Sequence, residues 1–147
     1  MVNPNAAPSY TPGPRSPILA WHFVQPDGTV ARLGVKAEAG LKLKHAGQVV
    51  PCQSGLHASR RPLDAAEFLN SPILCRVKCS GRVVEQDDKL ACSVREIVAV
   101  KDVSNVLHRF ACRVASDALD AQEARGRKVD PRSRTAIQAK LDWIAGT

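Results

Sequence analysis

Aromatic side chains are scarce in this chain, with three Phe, two Trp and one Tyr in 147 residues. The core must therefore be filled by Val, Leu, Ile and Ala, and a nucleic-acid surface of stacked rings has little material. No apolar run is long enough for a membrane-spanning helix. The five cysteines are an odd number and contain no Cys-x-x-Cys pair. Neither a metal ribbon nor a fully paired disulfide framework is expected from them. With no secretory leader recognisable, a reduced, intracellular (cytoplasmic) protein with buried free thiols is the simplest expectation. No internal repeat is visible.

What the chain does have is positive charge. Lys and Arg outnumber Asp and Glu by 21 to 14, a net charge of +7. That balance favours polyanionic partners, nucleic acid or an acidic protein surface, and leaves specificity open. Many of the cations (Arg109, Arg113, Arg125, Arg127, Lys128, Arg132, Arg134, Lys140) lie in the last third of the chain. Asp117, Asp120, Glu123, Asp130 and Asp142 are interleaved with them and dilute the patch.

Hydrophobic patterning divides the chain into three. Residues 1–17 hold five prolines and read as a disordered, proline-rich arm. Residues 18–103 read as an α+β domain, and residues 104–147 as a helical segment. Ile18–Val24 is an apolar strand, Pro26-Asp27-Gly28 a turn, and Thr29–Val35 a returning strand. Lys36–Lys44 is open between helix and loop. Ser59 is placed to cap a helix over Pro62–Asn70. Strand Ile73–Cys79 follows, with Cys75, Val77 and Cys79 on one face and Leu74, Arg76 and Lys78 on the other. Gly81 is expected to break it before a short continuation, Arg82–Glu85. A polar turn at Gln86–Lys89 leads to a strand over Leu90–Val100. Asp102 or Ser104 can cap the next helix, and Asp130-Pro131 starts the last one. The expected architecture is a small, mostly antiparallel β domain with one short inserted helix, followed by two C-terminal helices.

The run Pro51-Cys-Gln-Ser-Gly-Leu-His-Ala-Ser59 is the most pointed local feature. It sets His57 between glycine and small polar residues just ahead of a helix, where a ligand can reach it. A zinc site built on Cys52, His57, Cys75 and Cys79 is not expected, because residues four apart on a strand are about 13 Å apart. Cys52 with His57 as its base matches no cysteine-hydrolase pattern.

Two resemblances extend this. Trp21-His22-Phe23, then Gly55-Leu56-His57-Ala58-Ser59 with its helix and apolar strand, then Glu96-Ile97-Val98, resembles the motif order of the ADP-ribosyltransferase fold in its poly-ADP-ribose polymerase-like branch. The resemblance implies NAD as cofactor; that no metal is expected follows from the cysteine spacing above. The resemblance places His22, Gly55 and Ser59 at the cofactor and His57 under the nicotinamide. Glu96 would polarise the ribose 2′-hydroxyl and stabilise an oxocarbenium-like state. From charge alone, and not from the resemblance, Arg76 or Lys89 is expected to hold the phosphates. Phe23 stands where that family has glycine, and His57 where it has tyrosine. The Pro-Cys-x-x-Gly-Leu-His-Ala-Ser motif, with Ile73–Val77 and Asp87-Asp88-Lys89, also resembles uncharacterised bacteriophage and prophage domains. Two functions are thus carried forward: a phage-type effector transferring ADP-ribose from NAD to a host macromolecule, and a non-catalytic basic protein that docks on and inhibits a host protein or nucleic acid.

Overall fold

The computed structural model describes residues 16–147. The expected arm at residues 1–17 lies outside them except for Ser16 and Pro17. Two compact units divide at Asp102/Val103. The first unit carries strands β1 (Ile18–Phe23), β2 (Lys42–Lys44), β3 (Leu56–Ala58), β4 (Ile73–Glu85) and β5 (Leu90–Asp102), with helix α1 (Pro62–Ala66) inserted. The second carries α2 (Ser104–Ala124) and α3 (Pro131–Ala145). The chain is an α+β protein with an antiparallel sheet, one short inserted helix and two C-terminal helices, as its patterning led us to expect.

The sheet is built on the long β4–β5 hairpin. Gln86 donates its N–H to the Lys89 carbonyl (2.7 Å) and closes the turn. On its other edge β4 pairs β1, with His22 opposite Cys75 and Ala20 opposite Val77. The free edge of β5 takes two short strands end to end. β2 lies opposite Val94–Glu96, and β3 opposite Leu90–Cys92. β3 leads directly into Ser59, which exchanges both backbone hydrogen bonds with Trp21 of β1 (2.7 and 2.9 Å). The circuit β1–β4–β5–β3–β1 therefore closes on itself. Ala20, Cys75, Val77, Cys79, Cys92 and Ile97 are fully buried in its core. The thiols fill space as small hydrophobes, as the alternation along β4 predicts.

Four local expectations are corrected. Thr29–Val35 is no strand, because the Asp27 carboxylate accepts from both the N–H (2.9 Å) and the hydroxyl (2.7 Å) of Thr29. That Asx turn leads into a tight loop in which Val30 bonds Val35 and Gly34. Ser59 does not cap α1, since its backbone is committed to Trp21; Arg61 holds the N-cap position and α1 ends at Ala66. The α2 cap position is Val103, rather than Asp102 or Ser104. Gly81 does not break β4. It sits at a bulge with φ +76°, where an added Cβ would run into the Ser93 hydroxyl. That hydroxyl accepts the N–H of Arg82 (2.9 Å) and pins the bulge.

In the second unit Asp130 caps α3, accepting the Arg132 N–H at 2.9 Å with Pro131 in the first turn. Arg134, early in α3, donates to Asp120 and Glu123 near the end of α2, each at 2.7 Å. His108, early in α2, meets Trp143, late in α3, ring edge to face at 5.6 Å. The two helices thus run antiparallel. No helix among the described residues is long and apolar enough to cross a membrane.

Candidate functional site

A cleft of about 580 Å³ opens in the first unit, between the end of β1, the Gln25–Leu33 loop, the Pro51–Gly55 turn, β3, and Ala65 and Phe68 at α1. That volume suits a small organic ligand. Its walls are apolar where Trp21, Phe23, Val30, Leu33 and Phe68 line it, and its charged groups are Arg32, Lys89 and Arg95. His22, His45 and His57 add three imidazoles, and no Asp or Glu is among the lining residues.

Two of the lining residues hold unfavourable backbone. Arg32 and Cys52, both at φ 66°, are the non-glycine residues with positive φ among those described. Left-handed backbone in such residues costs about 1–3 kcal/mol and concentrates at functional sites. The Cys52 turn is held from two sides. The Ser54 hydroxyl donates to the Gln48 carbonyl at 2.5 Å. His57 Nε2 accepts the Cys52 N–H at 2.9 Å. Gly55 follows at φ +111°, and a Cβ there would come within 3.4 Å of the Cys92 carbonyl, so the sequence uses glycine where the turn meets β5.

The bond from Cys52 decides the chemistry of His57. Its Nε2 lone pair is occupied, so the ring is neutral and is not a free base for the Cys52 thiol. Burial first, then the charges of Arg95, Arg32 and Lys89, hold its pKa below the usual histidine value, against the opposing effect of the Gly55 backbone. His22 is driven further down, well below that value, by burial and then by Arg95 and His57. Its Nε2 is buried without a hydrogen-bond partner.

Arg95 belongs to no motif that would single it out. It pairs with Cys79 of β4 and Leu43 of β2 and is only 2% exposed. Its Nη1 donates to the His57 carbonyl, so the side chain crosses from the middle of β5 to the cleft. Nε has no partner, and no carboxylate among the described residues pairs with the guanidinium. Cys92, one of its thiol neighbours, donates to the Leu56 carbonyl at 3.3 Å, while the Cys79 thiol and, less strongly, Arg95 draw its pKa down against the effect of burial. Burial lowers the Arg95 pKa, but a guanidinium stays charged at any ordinary pH. An unpaired buried cation costs several kcal/mol.

Of the residues expected at the site, the cleft brings together His22, Gly55, His57, Ser59 and Lys89. Glu96 does not join them. Its cross-strand partners are Lys42 and Lys78, both exposed, while the neighbouring Arg95 and Ile97 face the core. Side chains alternate along a strand, so Glu96 stands on the far face of the sheet. Arg76 is not a lining residue either; its guanidinium stacks over the Trp21 ring at 4.3 Å. No group of three or more His, Cys, Asp or Glu among the described residues is placed to hold a metal ion.

A family model described as a domain of unknown function, DUF7666, matches residues 18–109. The chain belongs to the DUF7666 family. No curated protein and no solved structure matches it. The DUF7666 match takes in all five strands and only the first turns of α2. Every residue lining the cleft falls inside it.

Proposed function

We propose that the DUF7666 unit is a receptor for a small anionic ligand of the dinucleotide class, with NAD as its candidate ligand, and that it binds without transferring ADP-ribose. The observation that carries this is the charge of the cleft: Arg32, Arg95 and Lys89, the last also 3.6 Å from the Asp88 carboxylate outside the lining, face it, and no carboxylate lines it. Phosphate oxygens would supply the negative charge that Arg95 lacks, and Trp21, Phe23 and Phe68 offer apolar surface to a base or nicotinamide ring. ADP-ribosyl transfer needs a carboxylate facing the ribose, and Glu96 is on the opposite side of the sheet. Docking on a polyanion through the helical segment draws less support, because Arg113, Arg132 and Arg134 are engaged by Asp117, Asp130, Asp120 and Glu123.

Calorimetric titration of NAD into the full chain and into Glu96→Gln tests this. Saturable binding, equal in the two proteins and without release of nicotinamide, is the expected result. No heat at millimolar NAD would sink the receptor, and nicotinamide release that depends on Glu96 would reinstate the transferase.

A further inference from the structure

The floor of the cleft carries more than positive charge. Arg95 uses Nη1 on the His57 carbonyl, while Nε, on the Nε–Nη2 edge of the guanidinium, is buried without a partner among the described residues. That edge is the one a guanidinium offers to two oxygens of one anion. His22 Nε2, also buried and unpartnered, lines the same cleft. A site with two buried polar groups that no protein group pairs suits a ligand that pairs them.

The charge it can take is limited. Arg95 is the one fully buried cation at the cleft, burial disfavours the charged forms of His22 and His57, Lys89 is partly buried, and Arg32 is exposed to water. A single buried cation compensates a single negative charge, and a second charge in the same place would be buried unmatched. A terminal phosphate ester carries about −1.5 to −2 near neutral pH. A phosphate esterified on both sides, or one within a pyrophosphate bridge between two nucleosides, carries one.

Building on the receptor function proposed above, we infer that the Nε–Nη2 edge of Arg95 and Nε2 of His22 form a subsite for one singly charged phosphate, so that the cleft selects pyrophosphate-bridged dinucleotides over mononucleotides with a terminal phosphate. Arg32 and Lys89 stand at the same cleft to meet the second phosphate of the bridge. A terminal phosphate has to stay with those more exposed cations.

The test is calorimetric titration of NAD and of AMP into wild type, Arg95→Met and Arg95→Lys, with thermal melts alongside. Wild type should bind NAD at least tenfold tighter than AMP. Arg95→Met should lose about thirtyfold or more in NAD affinity, the scale expected when one partner of a buried charge pair is removed. Its melting temperature should hold or rise, because an apolar side chain replaces an unpaired buried charge. Arg95→Lys keeps the charge without the two-pronged edge, and should lose about tenfold; it carries the test if the methionine variant does not fold. Wild-type NAD affinity in either folded variant, or AMP bound as tightly as NAD, would overturn the subsite and leave the receptor standing. A wild-type protein that binds neither ligand would overturn both.

Discussion

Acidification from pH 7.5 to 5.5 should destabilise the protein in a range where its carboxylates stay ionised. The cause is His22. Burial, with Arg95 and His57 adding to it, holds its folded pKa well below 6.5, while the unfolded chain takes up a proton near that value. Between the two values the unfolded state binds more protons, so stability rises with pH there. The His22 contribution is fully present above the unfolded pKa and is lost as pH falls toward the folded one. The slope from one such group reaches about 1.4 kcal/mol per pH unit below pH 6.5. His57, also lowered, acts in the same direction but more weakly, because it is only half buried. Asp27, Glu85 and Asp130 have carboxyl pKa values held down by their partners, so they add nothing until more acid conditions. Urea denaturation at pH 7.5, 6.5 and 5.5 reads this directly. The midpoint should change little over the first step and fall clearly over the second, and His22→Gln should flatten the second step. A wild-type midpoint constant across all three would mean that His22 is not held neutral by the fold.

His57→Ala should cost both stability and ligand binding. The imidazole accepts the N–H of Cys52, a residue at φ 66°, and packs against the cleft. Without it the N–H must find water, and nothing holds the left-handed backbone in place. Losing the partner of a polar group costs about 1–3 kcal/mol, and the lower half of that range applies here because Cys52 is exposed. The Pro51–Gly55 turn forms one wall of the cleft, so NAD affinity should fall with it, by about tenfold. Chemical denaturation at pH 7.5 and calorimetry on the same variant measure the two effects. His57→Gln, whose amide oxygen can accept a hydrogen bond, should recover part of each. If His57→Ala keeps both the midpoint and the affinity of wild type, the imidazole does not support the turn.

Much of the fold was legible because local chemistry and tertiary context agree. Cys75, Val77 and Cys79 alternate with Leu74, Arg76 and Lys78 and were buried as that pattern demands. Asp130-Pro131 needs only its own neighbours to start a helix. The misreadings fall where a distant residue decides. Ser59 has the chemistry of a helix cap, but Trp21, far off in sequence, takes its backbone.

The site divides the same way. His22 and His57 were recognisable from the short motifs around them, and they do meet in one cleft. Glu96 and Arg95 were not separable from sequence. Ile97-Val98-Ala99-Val100 is apolar throughout, so it hides which face of β5 is inward, and a register shift opposite Arg76/Val77 interrupts the alternation there. A lone arginine in a strand reads as a surface residue. Only the closed circuit of strands, with β2 and β3 covering the edge of β5, turns it into the core.

An amide and arginine side-chain chemical-shift map of the full chain as NAD is added tests most directly whether the cleft is the binding site. Changes are expected at His22, Arg32, Gly55, His57 and the Arg95 Nε–H, with α2, α3 and the Lys42–Glu96–Lys78 face unmoved. Shifts confined to those helices or to that outer face, with Arg95 unmoved, would contradict binding in the cleft.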